Sequence, residues 1–160
     1  MKILGIDPGL KATGYGVIEV NGTLQSVRLI ETGTIEPPTH GSLPEKLNTI
    51  YKNLNAIVVE HSPEVMILEK LYAHYKHPNT ACVMGHARGV ICLVCGHHKI
   101  KLVEQSVKRI RKALVGNGSA TKEQTKDVVA HILKIKAEKL TLDASDALAL
   151  ALGHAHLERY

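Results

Sequence analysis

The residues best suited to chemistry are four carboxylates. Asp7 closes the apolar run Ile3-Leu4-Gly5-Ile6, and Pro8-Gly9 turns the chain immediately behind it. A residue before proline is pushed toward extended geometry, so Asp7 is expected at the last position of a strand with its side chain directed outward. Asp before Pro-Gly is also ordinary turn chemistry, and that reading stays open for Asp7 alone. Glu69 stands in the same place behind Val65-Met66-Ile67-Leu68. Asp143 and Asp146 are three residues apart at the head of an apolar helical stretch, about 60° apart around its axis, so both can aim at one point. Either could instead serve as an N-cap or as a first-turn acid favoured by the helix dipole. Carboxylates brought together repel one another and raise their own pKa values unless a cation is present. Hard divalent ions such as Mg²⁺ take oxygen ligands, and two of them can drive phosphodiester hydrolysis.

The elements that must position these acids follow from patterning. Residues 2–7 read as a buried strand and 14–20 as a second; Asn21-Gly22 is a hairpin signal into a third, Thr23 to about Ile35. Pro37-Pro38 ends this antiparallel meander. Ser42-x-x-Glu45 is a capping box opening a helix to about His61, and Val65–Leu68 is a short buried strand. Residues 70–78 lack periodicity and read as a loop. An apolar helix over about 80–96, a strand over 100–103 and a basic helix over 106–114 follow. A Gly-rich loop at 116–120, a second capping box at Thr121-x-x-Gln124 with a helix to about Lys134, and a last helix from Asp143 through His156 complete the chain. The implied architecture is α/β: a five-stranded mixed sheet, antiparallel meander plus parallel strands, with helices on both faces. Ligands of such sheets gather beyond the carboxyl ends of the parallel strands, where Asp7 and Glu69 are expected.

The 160 residues are expected to form a single domain, 1–160, large enough to bury a core without disulfides or metals. With 44% hydrophobic and 22% charged residues the composition is globular, and a net charge of +5 suits an anionic partner such as nucleic acid. Phe and Trp are absent, so only five Tyr rings are available for stacking. Three Cys without framework spacing, and no leader ahead of the first strand, point to a reducing cytoplasm. No apolar run is long enough to span a bilayer.

Taken in order, Gly5-Ile-Asp-Pro-Gly9, Thr13-Gly-Tyr-Gly16, Ile67-Leu-Glu69, Gly85-His-Ala-Arg-Gly89, the 115–122 run Val-Gly-Asn-Gly-Ser-Ala-Thr-Lys, and 143–151 with the closing His154-x-His156 resemble the RuvC family of Holliday-junction resolvases. The resemblance runs essentially end to end. It implies a ribonuclease-H-like fold and a homodimeric endonuclease dependent on Mg²⁺ or Mn²⁺, with two ions per site. Such an enzyme nicks a four-way DNA junction symmetrically, in concert with the branch-migration proteins RuvA and RuvB. Its catalytic and metal-holding acids fall on Asp7, Glu69, Asp143 and Asp146.

Lys108, Arg109, Arg111 and Lys112 cluster beside the loop of Gly116, Gly118 and Ser119, whose backbone lets phosphates approach closely; the spacing is not that of a Walker A loop. A solvated basic face is the alternative. By resemblance, Arg111 and Lys122 correspond to basic residues near the DNA backbone, and Tyr72 to a ring that stacks at the crossover. Packing beneath the loop is an equal reading for Tyr72. Cys92-x-x-Cys95 with His97 and His98 has a zinc-like look but lies in an apolar helical run, so core packing is expected. His154 is some 16 Å along the helix from Asp143, too far to share an ion with it, and is read as structural. Two rivals remain: an ATPase of the actin and sugar-kinase group, for whose two lobes the chain is short, and a junction-binding protein that has lost catalysis.

Overall fold

A computed structural model of the chain describes residues 1–70 and 78–158. Three strands, β1 (Lys2–Asp7), β2 (Thr13–Asn21) and β3 (Thr23–Ile35), form the antiparallel meander. Helix α1 (Leu43–His61) leads to β4 (Val65–Glu69), α2 (Pro78–His98) and β5 (Lys101–Gln105). Helices α3 (Val107–Val115), α4 (Lys122–Leu133) and α5 (Leu142–Glu158) close the chain, with one 3₁₀ turn at Ala137–Lys139. The sheet order is β3-β2-β1-β4-β5, with β4 parallel to both β1 and β5.

Strand parity decides which helices each strand residue meets. Ile3, Ile18, Val65 and Ile67 pack with Leu148, Leu152, Ile110 and Val129 on the face covered by α3, α4 and α5. The alternating residues Leu4, Ile6, Val17, Met66 and Leu68 pack with Ile50, Leu54, Ile91 and Val94 of α1 and α2 on the other. Successive strand side chains point to opposite faces, so Asp7 shares its face with Ile3 and Gly5, and Glu69 with Val65 and Ile67. Both acids therefore point to the side where α5 lies.

Helix α5 comes unusually near that face. A Cβ on Gly5 would fall 2.0 Å from the Ala147 carbonyl oxygen, and one on Gly14 would fall 2.1 Å from that of Asp143. No other residue type fits at these crossings, and the contact holds the head of α5 against the end of β1.

The helix starts follow their local chemistry. The Ser42 amide donates to Glu45 Oε2 at 2.7 Å, and the Thr121 amide to Gln124 Oε1 at 2.9 Å, as the two capping boxes require. Helix α5 is capped by Thr141, whose Oγ1 accepts from the Ala144 amide at 3.1 Å. Asp143 is thus not the N-cap that its position in sequence allowed. Helix α2 begins before residue 80 and β5 runs on to Gln105, two residues past the expected end. Cys95 is buried as expected, but Cys92, some 60° round α2 from it, falls outside the buried stripe of Ala87, Ile91, Val94 and Cys95 and is exposed. His154 is buried in the core, consistent with a structural role. No helix among the described residues is long and apolar enough to cross a membrane.

Candidate active site

The carboxyl ends of β1 and β4 and the first turns of α4 and α5 enclose a cleft of about 220 Å³. Asp7, Glu69 and Asp146 line it, together with Arg111, Lys122, Val107, Ile110 and Thr125. The turn behind Asp7 is fixed by Thr13, fully buried, whose hydroxyl donates to the Gly9 carbonyl at 2.8 Å and accepts from the Gly9 amide at 3.2 Å. The strand ends and the helix head therefore deliver acids from three separate parts of the chain to one opening.

Their electrostatics bear the mark of that crowding. Burial above all, then the charges of Asp146 and Glu69, lift Asp7 from an ordinary 3.8 to about 7, with Lys122 opposing and Asp143 adding to the rise. Burial and then Asp146 also raise Glu69, against Lys122, hydrogen bonding to Asp7, and Arg111. Lys122 forms an ion pair with Asp146. Burial works against its ammonium, but the bond and the charges of Asp146, Asp7 and Asp143 outweigh that, and its pKa rises. A group of carboxylates held in protonated or lysine-paired form is one in which a divalent cation relieves repulsion. The all-oxygen donor set suits a hard ion such as Mg²⁺, so the residues present fit a metal.

Among the expected site residues, Asp7, Glu69, Asp146, Arg111 and Lys122 thus come together. Asp143 does not line the cleft, although its charge is felt by both Asp7 and Lys122. Lys112, Gly116, Gly118 and Ser119 stand outside the cleft lining on α3 and the loop after it. Gly116 ends α3 at φ +80°, and the Ser119 amide donates to Asn117 Oδ1 at 2.9 Å, which shapes the loop. Tyr72 lies outside the described residues. Sequence reasoning missed Thr125, fully buried in the cleft wall with its hydroxyl on the Thr121 carbonyl at 2.8 Å. Its place one turn into the helix that Thr121 caps was the available signal.

A second group of possible ligands, Glu31, Glu60 and His61, has donor atoms within 4.8 Å of one another. It belongs to the α1 side of the sheet, away from the four acids. Glu31 already accepts from the Tyr15 hydroxyl at 2.6 Å and pairs with His61, so two of the three groups are already engaged.

The family model for the crossover junction endodeoxyribonuclease RuvC matches residues 3–154. The chain belongs to the RuvC family. A RuvC from Rhodopirellula baltica is 40% identical over 153 residues, covering 95% of this chain and 85% of its own. One from Burkholderia mallei is 40% identical over 158 residues, covering 98% and 84%. Among solved structures, T. thermophilus RuvC in complex with Holliday junction substrate superposes with a TM-score of 0.90 at 27% identity, over 99% of this chain and 95% of that one. The yeast mitochondrial resolvase Ydc2, 15% identical with a TM-score of 0.68 over 99% of this chain and 80% of its own, shares the fold. The expected ribonuclease-H-like mixed sheet is thereby borne out. Metal dependence is typical of RuvC nucleases, and the ATPase alternative finds no support.

Proposed function

We propose that Asp7, Glu69, Asp143 and Asp146 are the catalytic acids of this RuvC protein and hold its metal. It is a Holliday-junction-resolving endonuclease of recombination and DNA repair. The observation that carries the site assignment is the convergence of Asp7, Glu69 and Asp146 on one cleft, with Arg111 and Lys122 in its wall. Mg²⁺ is the expected ion, replaceable by Mn²⁺, with two ions per site. Divalent cations held there supply water activation and stabilisation of the leaving oxygen in phosphodiester hydrolysis.

The chain's own groups do the rest. Asp7, with a pKa of about 7, must give up its proton to take part in cation binding. Arg111, in the cleft wall, offers a planar cation to the scissile phosphate. Lys122 offers a second cation at the same opening. Lys112, Gly116, Gly118 and Ser119 follow the DNA backbone beyond it, and Tyr72 stacks on a base at the crossover. The chain acts as one domain, 1–160, in the cytoplasm. It works as a homodimer formed through α2, where exposed Val83 and Leu93 support such a surface, and with RuvA and RuvB as partners on the junction.

The test compares wild type with Asp7→Asn on a synthetic four-way junction and on linear duplex, with and without Mg²⁺. Wild type makes paired cuts in the junction only with metal, whereas Asp7→Asn binds the junction without cutting it. Wild-type nicking rates in Asp7→Asn would remove the catalytic assignment.

A further inference from the structure

We infer that Arg88 of α2 is a positioning residue for Glu69, substituting for a backbone donor that the turn behind Asp7 cannot provide. This rests on the reading of Glu69 as a metal-holding acid. In the parallel pairing of β1 with β4, Gly5 stands opposite Ile67 and Ile6 opposite Leu68. A parallel ladder in that register directs the Glu69 carbonyl toward the amide of residue 8. Residue 8 is proline and has no N–H to give. On the other edge of β4, the Lys70 amide donates to the Gln105 carbonyl at 2.8 Å. Because a trans peptide points its C=O and N–H in opposite directions, that bond leaves the Glu69 carbonyl facing the gap.

Arg88 fills it. Its Nη1 donates to the Glu69 carbonyl and its Nη2 to Glu104 Oε1 on β5. The Arg88 side chain is only 12% exposed. The planar guanidinium carries its donors in a fixed fork, so one group ties the last peptide of β4 to α2 and to β5 at once. Pro8 shapes the turn that projects Asp7, and the same proline would leave the neighbouring acid's peptide loose. Arg88 restores it from the opposite face of the sheet, without touching the cleft. Its action on the site runs through the Glu69 backbone, which sets where the Glu69 side chain starts.

The experiment measures Mn²⁺ binding by electron paramagnetic resonance, without DNA, in wild type, Arg88→Met, Glu69→Gln and the double variant. Loss of an outer partner of a metal ligand weakens affinity roughly 10- to 100-fold, and that loss is expected for Arg88→Met. Because the effect passes through Glu69, the double variant should bind within about 2-fold of Glu69→Gln alone. Glu104→Gln keeps the bond to the carbonyl and is expected to bind Mn²⁺ nearly as wild type does. Should Arg88→Met not fold, Arg88→Lys carries the same cycle, with a single ammonium in place of the planar fork and a smaller loss. Wild-type affinity in the Arg88 variant while Glu69→Gln binds weakly overturns the inference alone. So does a loss that adds in full to that of Glu69→Gln. Wild-type affinity in Glu69→Gln overturns the assignment of Glu69 and this inference with it.

Discussion

Replacing Gly14 with alanine tests whether the close seating of α5 on the sheet sets the geometry of the acids. The added methyl carbon would stand 2.1 Å from the Asp143 carbonyl oxygen and 2.3 Å from its carbonyl carbon. Both are backbone atoms, so no side chain can swing aside. Reaching the 3.4 Å of ordinary van der Waals contact requires the helix head to retreat by more than about 1 Å. Overpacking of this kind costs about 1–3 kcal/mol. A misplacement of roughly 1 Å in a catalytic constellation costs on the order of 100-fold in rate. The assay is single-turnover cleavage of a four-way junction in Mg²⁺, well below the melting temperature of the variant, so that loss of fold does not contribute. Asn53→Ala on the exposed side of α1 is the control, because its side chain bonds only the Thr49 carbonyl of the preceding turn. It should cleave as wild type does and be neutral or up to about 0.5 kcal/mol more stable. Cleavage by Gly14→Ala within about 3-fold of wild type would show that the crossing does not govern the rate on which the estimate rests.

In the metal-free protein the native state keeps the Asp7 proton between about pH 4 and 7, where the unfolded chain has lost it, so stability falls as pH rises through that window. Thermal melts in chelator should therefore find Asp7→Asn more stable than wild type at about pH 8, with the two converging near pH 4; a constant gap would contradict the raised pKa. Thr141→Ala removes the oxygen that caps α5 and should cost about 1 kcal/mol, or some 3 °C in melting temperature, an unchanged melt being the contrary result.

Much of this arrangement was legible in the sequence because the signals were local. An apolar run ending in an acid before Pro-Gly read as a strand end, with a turn as its alternative, and the two capping boxes marked where α1 and α4 begin. What escaped were long-range facts. The role of Asp143 depended on Thr141, two residues earlier, taking the cap. That Glu69 and Asp7 share a face follows from pairing register, which a strand does not carry alone. Cys92 looked like core because α2 is apolar over much of its surface, and only the packing partners show which side is covered. Arg88 was visible as part of a motif, but its proposed task follows from Pro8, eighty residues away in sequence, through the Glu69 carbonyl that Arg88 bonds.

Helix α5 is buried along most of its length, from Ala144 to Ala155, with Asp146 partly exposed at the cleft. The element bearing two of the four proposed catalytic acids, Asp143 and Asp146, is thus the same one that completes the interior on its side of the sheet. A copy of the protein that has lost its interior, through heat, truncation or a faulty start in the cell, can hold no leftover capacity to cut chromosomes. For an enzyme whose business is severing DNA, competence arrives only with the finished molecule and leaves with it.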